Sequence, residues 1–197
     1  MEKIATTDHP VADIIAHRWS PRGYDPSRPV SRDDLMSLLE AARWAPSSAN
    51  GQPWRYLVFD QSDPEALAKA QDCLSPGNAW AKAAPTLMLS VARLASARNG
   101  QPNRFAGHDV GAASVSMALQ ATALGLWVHQ MGGYDSAKAR AYFGIPDDYE
   151  PMAMIAVGYM LPEKDISPDV LQRDMAVRTR QPISDMAFRG HWSVTPL

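Results

Sequence analysis

The chain has 197 residues, 46% of them apolar, and a formal net charge of -2, so one domain over residues 1–197 with a sizeable core is expected. Balanced charge argues against nucleic acid or an anionic membrane as the main partner. Cys73 is the only cysteine, which excludes an intrachain disulfide or a dithiol mechanism, and the five histidines lack metal-ligand spacing, so no metal site is expected. The first ten residues hold no signal-peptide apolar core and no apolar run is long enough to span a bilayer, so the expected location is cytoplasmic.

In chain order, the first notable segment is His17-Arg18-Trp19-Ser20-Pro21-Arg22-Gly23-Tyr24, where two guanidinium groups flank a hydroxyl. Arginine offers a rigid fork of donors that matches phosphate oxygens, and serine adds a short donor. The same residues also suit a solvated basic turn. A helix follows behind Ser31, with Asp34 in the capping position and Leu35, Leu38, Leu39 and Ala42 at helical spacing. Pro46 stops it.

The loop Ala45-Pro46-Ser47-Ser48-Ala49-Asn50-Gly51-Gln52-Pro53-Trp54 then precedes a short strand, Arg55–Phe59. Its proline and serines offer a thin packing surface, and its amides donate and accept at once, as the edge of a flat heteroaromatic ring requires. An ordinary polar loop with a proline stop fits the same residues. Downstream, Pro64 opens a helix to about Leu74, Ser75-Pro76-Gly77-Asn78 breaks it, and residues 86–92 read as a strand apolar on both faces.

The longest helix, about Val110 to Leu124, has no polar stripe and should be buried on every side, in a core or a subunit interface. Gly125 ends it. A strand at Leu126–Gln130 leads to Gly132 and Gly133, which permit close backbone approach or simply a tight turn. A buried strand at Met152–Tyr159 and a helix around Asp169–Val177 precede Arg178-Thr179-Arg180-Gln181-Pro182. Helices and strands mix without the regular alternation of a doubly wound sheet, and no Gly-x-Gly-x-x-Gly fingerprint follows a strand. Trp44 and Trp54 are read as packing residues, whereas Trp80 and Trp127 suit either packing or ring stacking.

The order Arg-x-Ser-x-Arg, Pro-Ser-Ser-x-Asn-x-Gln-Pro-Trp, Gly-Gly and Arg-x-Arg-x-Pro, spread over residues 12 to 183, resembles the FMN-dependent nitroreductase family. The resemblance implies an α+β fold with a central, mostly antiparallel sheet flanked by helices, in an intertwined homodimer with active sites at the subunit interface. It implies that Arg18 and Ser20, with Trp19 between them, hold the FMN phosphate, that Arg22 reaches the ribityl chain and the N1/O2 edge, and that Arg178 and Arg180 complete the phosphate site. Pro46, Ser47, Ser48 and Asn50 would come from the other subunit along the ring, and Gly132 and Gly133 would lie near N5. The flavin carries the chemistry, so no side chain is catalytic. NADH or NADPH would be the transient reductant, and a nitroaromatic, quinone or activated alkene the acceptor, in a ping-pong cycle. Other readings are a specialised flavin enzyme on the same scaffold (dehalogenase, dehydrogenase or flavin-consuming) and a non-catalytic FMN-binding sensor or storage protein. Asn78 matches an asparagine that some members place near the flavin, but Trp80 stands near where those members carry a lysine, with Lys82 close by.

Overall fold

Strand β2 (Thr86–Arg93) is the axis of the fold, because its uncharged run from Thr86 to Ala92 tolerates cover on both faces and every one of those residues is buried. The structure is a computed structural model that describes residues 1–192. β1 (Trp54–Asp60) and β4 (Tyr149–Gly158) pair with β2 on either side, and β3 (Trp127–Met131) pairs with the far edge of β4. All the pairings are antiparallel, in the order β1-β2-β4-β3. Leu89 sits opposite both Leu57 and Met154.

The helices are α1 (Asp13–His17), α2 (Arg32–Arg43), α3 (Pro64–Asp72), α4 (Ala106–Ala123), α5 (Ser136–Phe143) and α6 (Pro168–Met175). α2 and α4 cover one sheet face, where Leu38, Ala42, Met117 and Ala121 pack with Met88, Ile155 and Val157. α3 and α5 cover the other, where Leu67, Ala70 and Ala139 meet Leu87, Leu89 and Met154. Side-chain caps fix several helix starts: Ser31 accepts from the Asp34 amide at 3.0 Å and Asp135 from the Lys138 amide at 2.8 Å.

Five expectations are corrected or extended. From β1 to β4, strands and helices do alternate, through α3, α4 and α5; what separates this sheet from a doubly wound one is its antiparallel pairing. The Ser75–Asn78 break opens a 3-10 helix over Pro76–Ala83. α4 starts a turn earlier than residue 110, since the Asn103 carbonyl accepts the Ala106 amide at 3.1 Å and Ala106 is buried. It is also not covered all round: Gly111 and Val115 lie exposed, the latter by 50%, so one apolar face has no cover within the chain. Trp54 is packed in the core as expected, but Trp44 is 75% exposed. It caps the end of α2, where its indole donates to Glu40 at 2.8 Å and the Arg43 guanidinium lies 5.2 Å from the ring. The helix's own polar groups thus hold it at the surface.

The N-terminal segment is pinned to the sheet edge by His129 on β3, whose Nδ1 lies 2.8 Å from the Pro21 carbonyl oxygen. That contact requires Nδ1 to carry the hydrogen.

Two predictions follow from the packing and from this pin. Leu89→Ala empties a fully buried position at the sheet centre and should cost about 2–5 kcal/mol, read as a lower urea midpoint. Burial above all pushes His129 below its ordinary 6.5, with Arg22 and Arg173 adding to the effect and the Pro21 bond and Asp174 opposing it. The unfolded chain therefore takes up this proton first as pH falls through 6.5, and the folded state loses stability there. His129→Asn should flatten the loss between about pH 7.5 and about pH 5.5 in urea titrations; an equal loss in both proteins would exclude His129 as its source.

Candidate functional site

Residues Arg18–Gly23 follow the short helix α1 without regular secondary structure and are gripped from several sides. Asp174, in the last turn of α6 and only 1% exposed, accepts the Arg22 amide at 2.8 Å, the Gly23 amide at 3.2 Å and Arg22 Nη1 at 3.1 Å. A Cβ on Gly23 would stand 2.7 Å from Ile166, so only glycine lets this segment lie so close to the approach to α6. Arg178 reaches back across the chain and donates to the carbonyls of Lys3, Ala16 (3.1 Å) and Arg18 (3.0 Å).

The result is a concentration of positive charge. Arg18 Nη1 lies 3.3 Å from Ser20 Oγ, so the two predicted phosphate ligands are together. Burial first, then Arg178 and Arg180, pulls the Arg18 guanidinium below its ordinary value. Arg178 is lowered by burial and then by Arg180. Among the described residues, neither arginine forms an ion pair with a carboxylate. Lys3 joins the group: burial lowers it most, Asp174 opposes, and Arg178 and Arg22 add to the lowering. Its ammonium donates to the carbonyls of Asp174 and Ala176 and lies 5.0 Å from the Trp19 ring. Trp19 itself is 5% exposed and packs edge-on against Trp127 at 5.6 Å.

The segment connects onward to the predicted glycine pair. The Trp80 ring lies 4.5 Å from His129 and 5.9 Å from the Arg22 guanidinium. Two residues before Trp80, Asn78 donates to the Gly133 carbonyl at 2.9 Å, and the Ser75 amide donates to the same oxygen at 3.1 Å. A Cβ on Gly133 would fall 2.7 Å from Asn78 Nδ2, whereas one on Gly132 would meet open space. Gly133 is thus the residue that needs to be glycine, and Gly132 is the one that faces outward. Cavities of about 380 Å³, beside Lys3 and Trp127, and about 510 Å³, beside Arg22 and Trp80, flank the Arg18–Gly23 segment. Trp19 Nε1, Arg22 Nε and Trp80 Nε1 are buried without a partner, three of the four such side-chain atoms among the described residues. All three are donors, so the neighbourhood is short of acceptors.

The Pro46–Asn50 loop stands apart. Asp109, buried in the first turn of α4, accepts the Ser48 amide at 3.0 Å, and Ser47 Oγ accepts the Gln52 amide at 3.1 Å. Ala49, Asn50 and Gln52 all have positive φ, between 45° and 54°. Among the described residues, no hydrogen bond joins this loop to Arg18–Gly23, to Gly132 and Gly133 or to Arg178 and Arg180.

Sequence reasoning missed Asp174, Lys3, His129 and Asp109. For Asp174 one signal existed: a carboxylate in the last turn of a helix faces the negative end of the macrodipole and needs outside donors.

Comparison with known proteins identifies the family and the fold. Residues 15–159 match the nitroreductase family. A solved structure described as an oxidoreductase containing FMN is 33% identical, covers 95% of each chain and superposes with a TM-score of 0.87. A 15.4 kDa protein of the ask 5' region in Mycolicibacterium smegmatis is 33% identical over 128 residues, 65% of this chain and 85% of that one. The major NAD(P)H-flavin oxidoreductase of Aliivibrio fischeri is 44% identical over 52 residues, 26% of this chain and 24% of that one. With its family match over most of its length and its antiparallel sheet between helical layers, the chain belongs to the nitroreductase family.

Proposed function

We propose that the protein is an FMN-dependent oxidoreductase that takes electrons from NADH or NADPH and passes them to an electron-poor small molecule, a nitroaromatic, quinone or activated alkene, in a ping-pong cycle. The observation that carries this is the cluster of Arg18, Arg178 and Arg180, none of them ion-paired among the described residues, beside buried donors that lack acceptors. A phosphate supplies the missing negative charge, and a flavin ring edge is rich in acceptors. The residues present therefore fit FMN.

The chemistry FMN supplies when bound is two-electron exchange at N5. The chain's own residues bind and orient. Arg18 and Ser20 hold the phosphate with Arg180, whose guanidinium, among the described residues, contacts its neighbour's carbonyl alone. Arg178 adds charge while its donors fasten residues 3, 16 and 18 in place. Trp19 supports this segment from the core side. Arg22, fixed by Asp174, offers a positive group to the N1/O2 edge as negative charge gathers there. Gly132, where a Cβ would meet open space, would leave the approach to N5 free of a side chain, while Gly133 lets Asn78 and Ser75 close on the turn behind it. Pro46, Ser47, Ser48 and Asn50 complete the site from a second copy of the chain, with the uncovered face of α4 in the homodimer contact. Two observations support this arrangement: the loop is not bonded to the arginine cluster of its own chain, and Gly111 and Val115 are exposed. Small residues at such a face let helices approach closely.

Purified protein should bind FMN, and its visible spectrum should bleach under anaerobic conditions on addition of NADH or NADPH and recover with a quinone. Bound flavin that neither nucleotide bleaches would favour a sensor or a specialised relative. Arg18→Ala should weaken FMN binding by about 10- to 100-fold, the worth of a charge-assisted hydrogen bond, in a fluorescence titration. Arg22→Ala should weaken binding less and lower the reduction potential; unchanged values for both would remove its proposed role.

A further inference from the structure

Asp174 lies outside the family match and is claimed by no part of the reading above except as Arg22's partner. Its carboxylate is 1% exposed and sits in the last turn of α6, where the helix dipole disfavours an anion. Burying it there without donors would cost several kcal/mol. It has three: two consecutive backbone amides, at 2.8 and 3.2 Å, and the Arg22 guanidinium at 3.1 Å. The two amides satisfy one oxygen and Nη1 the other. The backbone amides hold Oδ2, and Oδ1 takes its hydrogen bond from Arg22, so the carboxylate and the guanidinium fix one another.

Arg22 is divided in consequence. One nitrogen faces Asp174, while Nε is buried with no partner. The same guanidinium lies beside the Trp80 ring, which prevents it from swinging away on that side. A paired guanidinium offers a ligand less net positive field than a free one, because the carboxylate at 3.1 Å cancels much of it in the low-dielectric interior.

We propose that Asp174 is a positioning residue for the redox site: it fixes Arg22 in one orientation and, as its counter-ion, limits how strongly Arg22 favours the reduced, more negative state of the bound cofactor. The proposal rests on the reading of the protein as an FMN enzyme with Arg22 at the N1/O2 edge. The geometry assigns Asp174 no contact with substrate. Its influence passes through Arg22.

The test is spectroelectrochemistry of the FMN-loaded protein, with FMN affinity measured by fluorescence. In Asp174→Asn, the side-chain carbonyl can still accept from the two amides, but the negative charge is gone. The preference of the site for reduced over oxidised FMN should rise by about tenfold, a positive shift of about 30 mV for a two-electron couple. Asp174→Glu keeps the charge and should lie within about threefold of the native ratio. A purely structural role would weaken both FMN states together and leave the ratio where it was. An unmoved or lowered ratio in Asp174→Asn overturns the proposal. If that variant does not fold, Asp174→Ser, which keeps a small acceptor for the backbone amides without the charge, is measured in the same way, and an unmoved or lowered ratio there overturns the proposal. A native protein that binds no FMN would instead sink the underlying functional reading, which keeps the two failures distinct.

Discussion

A buried carboxylate at the wrong end of a helix must be surrounded by donors, and in this protein that requirement joins the two ends of the chain. Asp174 finds its donors more than 150 residues upstream, in Arg22 and Gly23. Once α6 is fastened there, the strand of chain that leaves it passes beside residues 3 to 18, and Arg178 can donate to three of their carbonyls. The cation cluster is a product of that closure: Arg18 comes from one end, Arg178 and Arg180 from the other. The sheet supplies the floor, because His129 on β3 holds the Pro21 carbonyl and packs on Trp80.

The arginines divide the work according to what already occupies them. Arg178 has its donors committed to main-chain carbonyls, and Arg22 is half committed to Asp174. Arg18 and Arg180 are bound only lightly, to Ser20 and to a neighbouring carbonyl. Committed guanidiniums are rigid and build the site, while lightly held ones remain available to an incoming anion. Like charges brought this close repel one another, so the cluster by itself opposes folding. The fixed pair Asp174 and Arg22 lies where that repulsion would otherwise open the segment.

What the sequence revealed was what is decided locally. The Ser31 cap, the uncharged strand at residues 86–92 and the glycine after α4 depend on neighbours a few positions away, and each stands where periodicity and capping place it. The arginine and serine of the first motif also come together as their spacing suggests. Pairing at long range was illegible from periodicity and capping, and the antiparallel sheet was expected from the family resemblance alone. Nothing near Asp174 announces Arg22, nothing near His129 announces Pro21, and strand direction, which separates this sheet from a doubly wound one, leaves no mark on the order of elements. Trp44 was misread because burial was inferred from residue type, whereas Glu40 and Arg43 satisfy its ring at the surface.

The Pro46–Asn50 loop shows how far one chain goes toward building its share of a site. Three non-glycine residues in the left-handed region, Ala49, Asn50 and Gln52, carry strain on the order of 1 kcal/mol or more each. Such a conformation persists only where the surroundings over-determine it. Here Asp109 holds the Ser48 amide, Ser47 holds the Gln52 amide, and Pro46 and Pro53 restrict the two flanks. The loop is therefore shaped before it meets any ligand. Because Asp109 belongs to the first turn of α4, the loop is also fixed to the helix whose outer face, at Gly111 and Val115, has no cover within the chain. The Ser48–Asp109 hydrogen bond ties the loop to the helix. A second copy that covers α4 would then receive the loop in a geometry already set, so assembly would need to supply orientation alone and none of the loop's internal order.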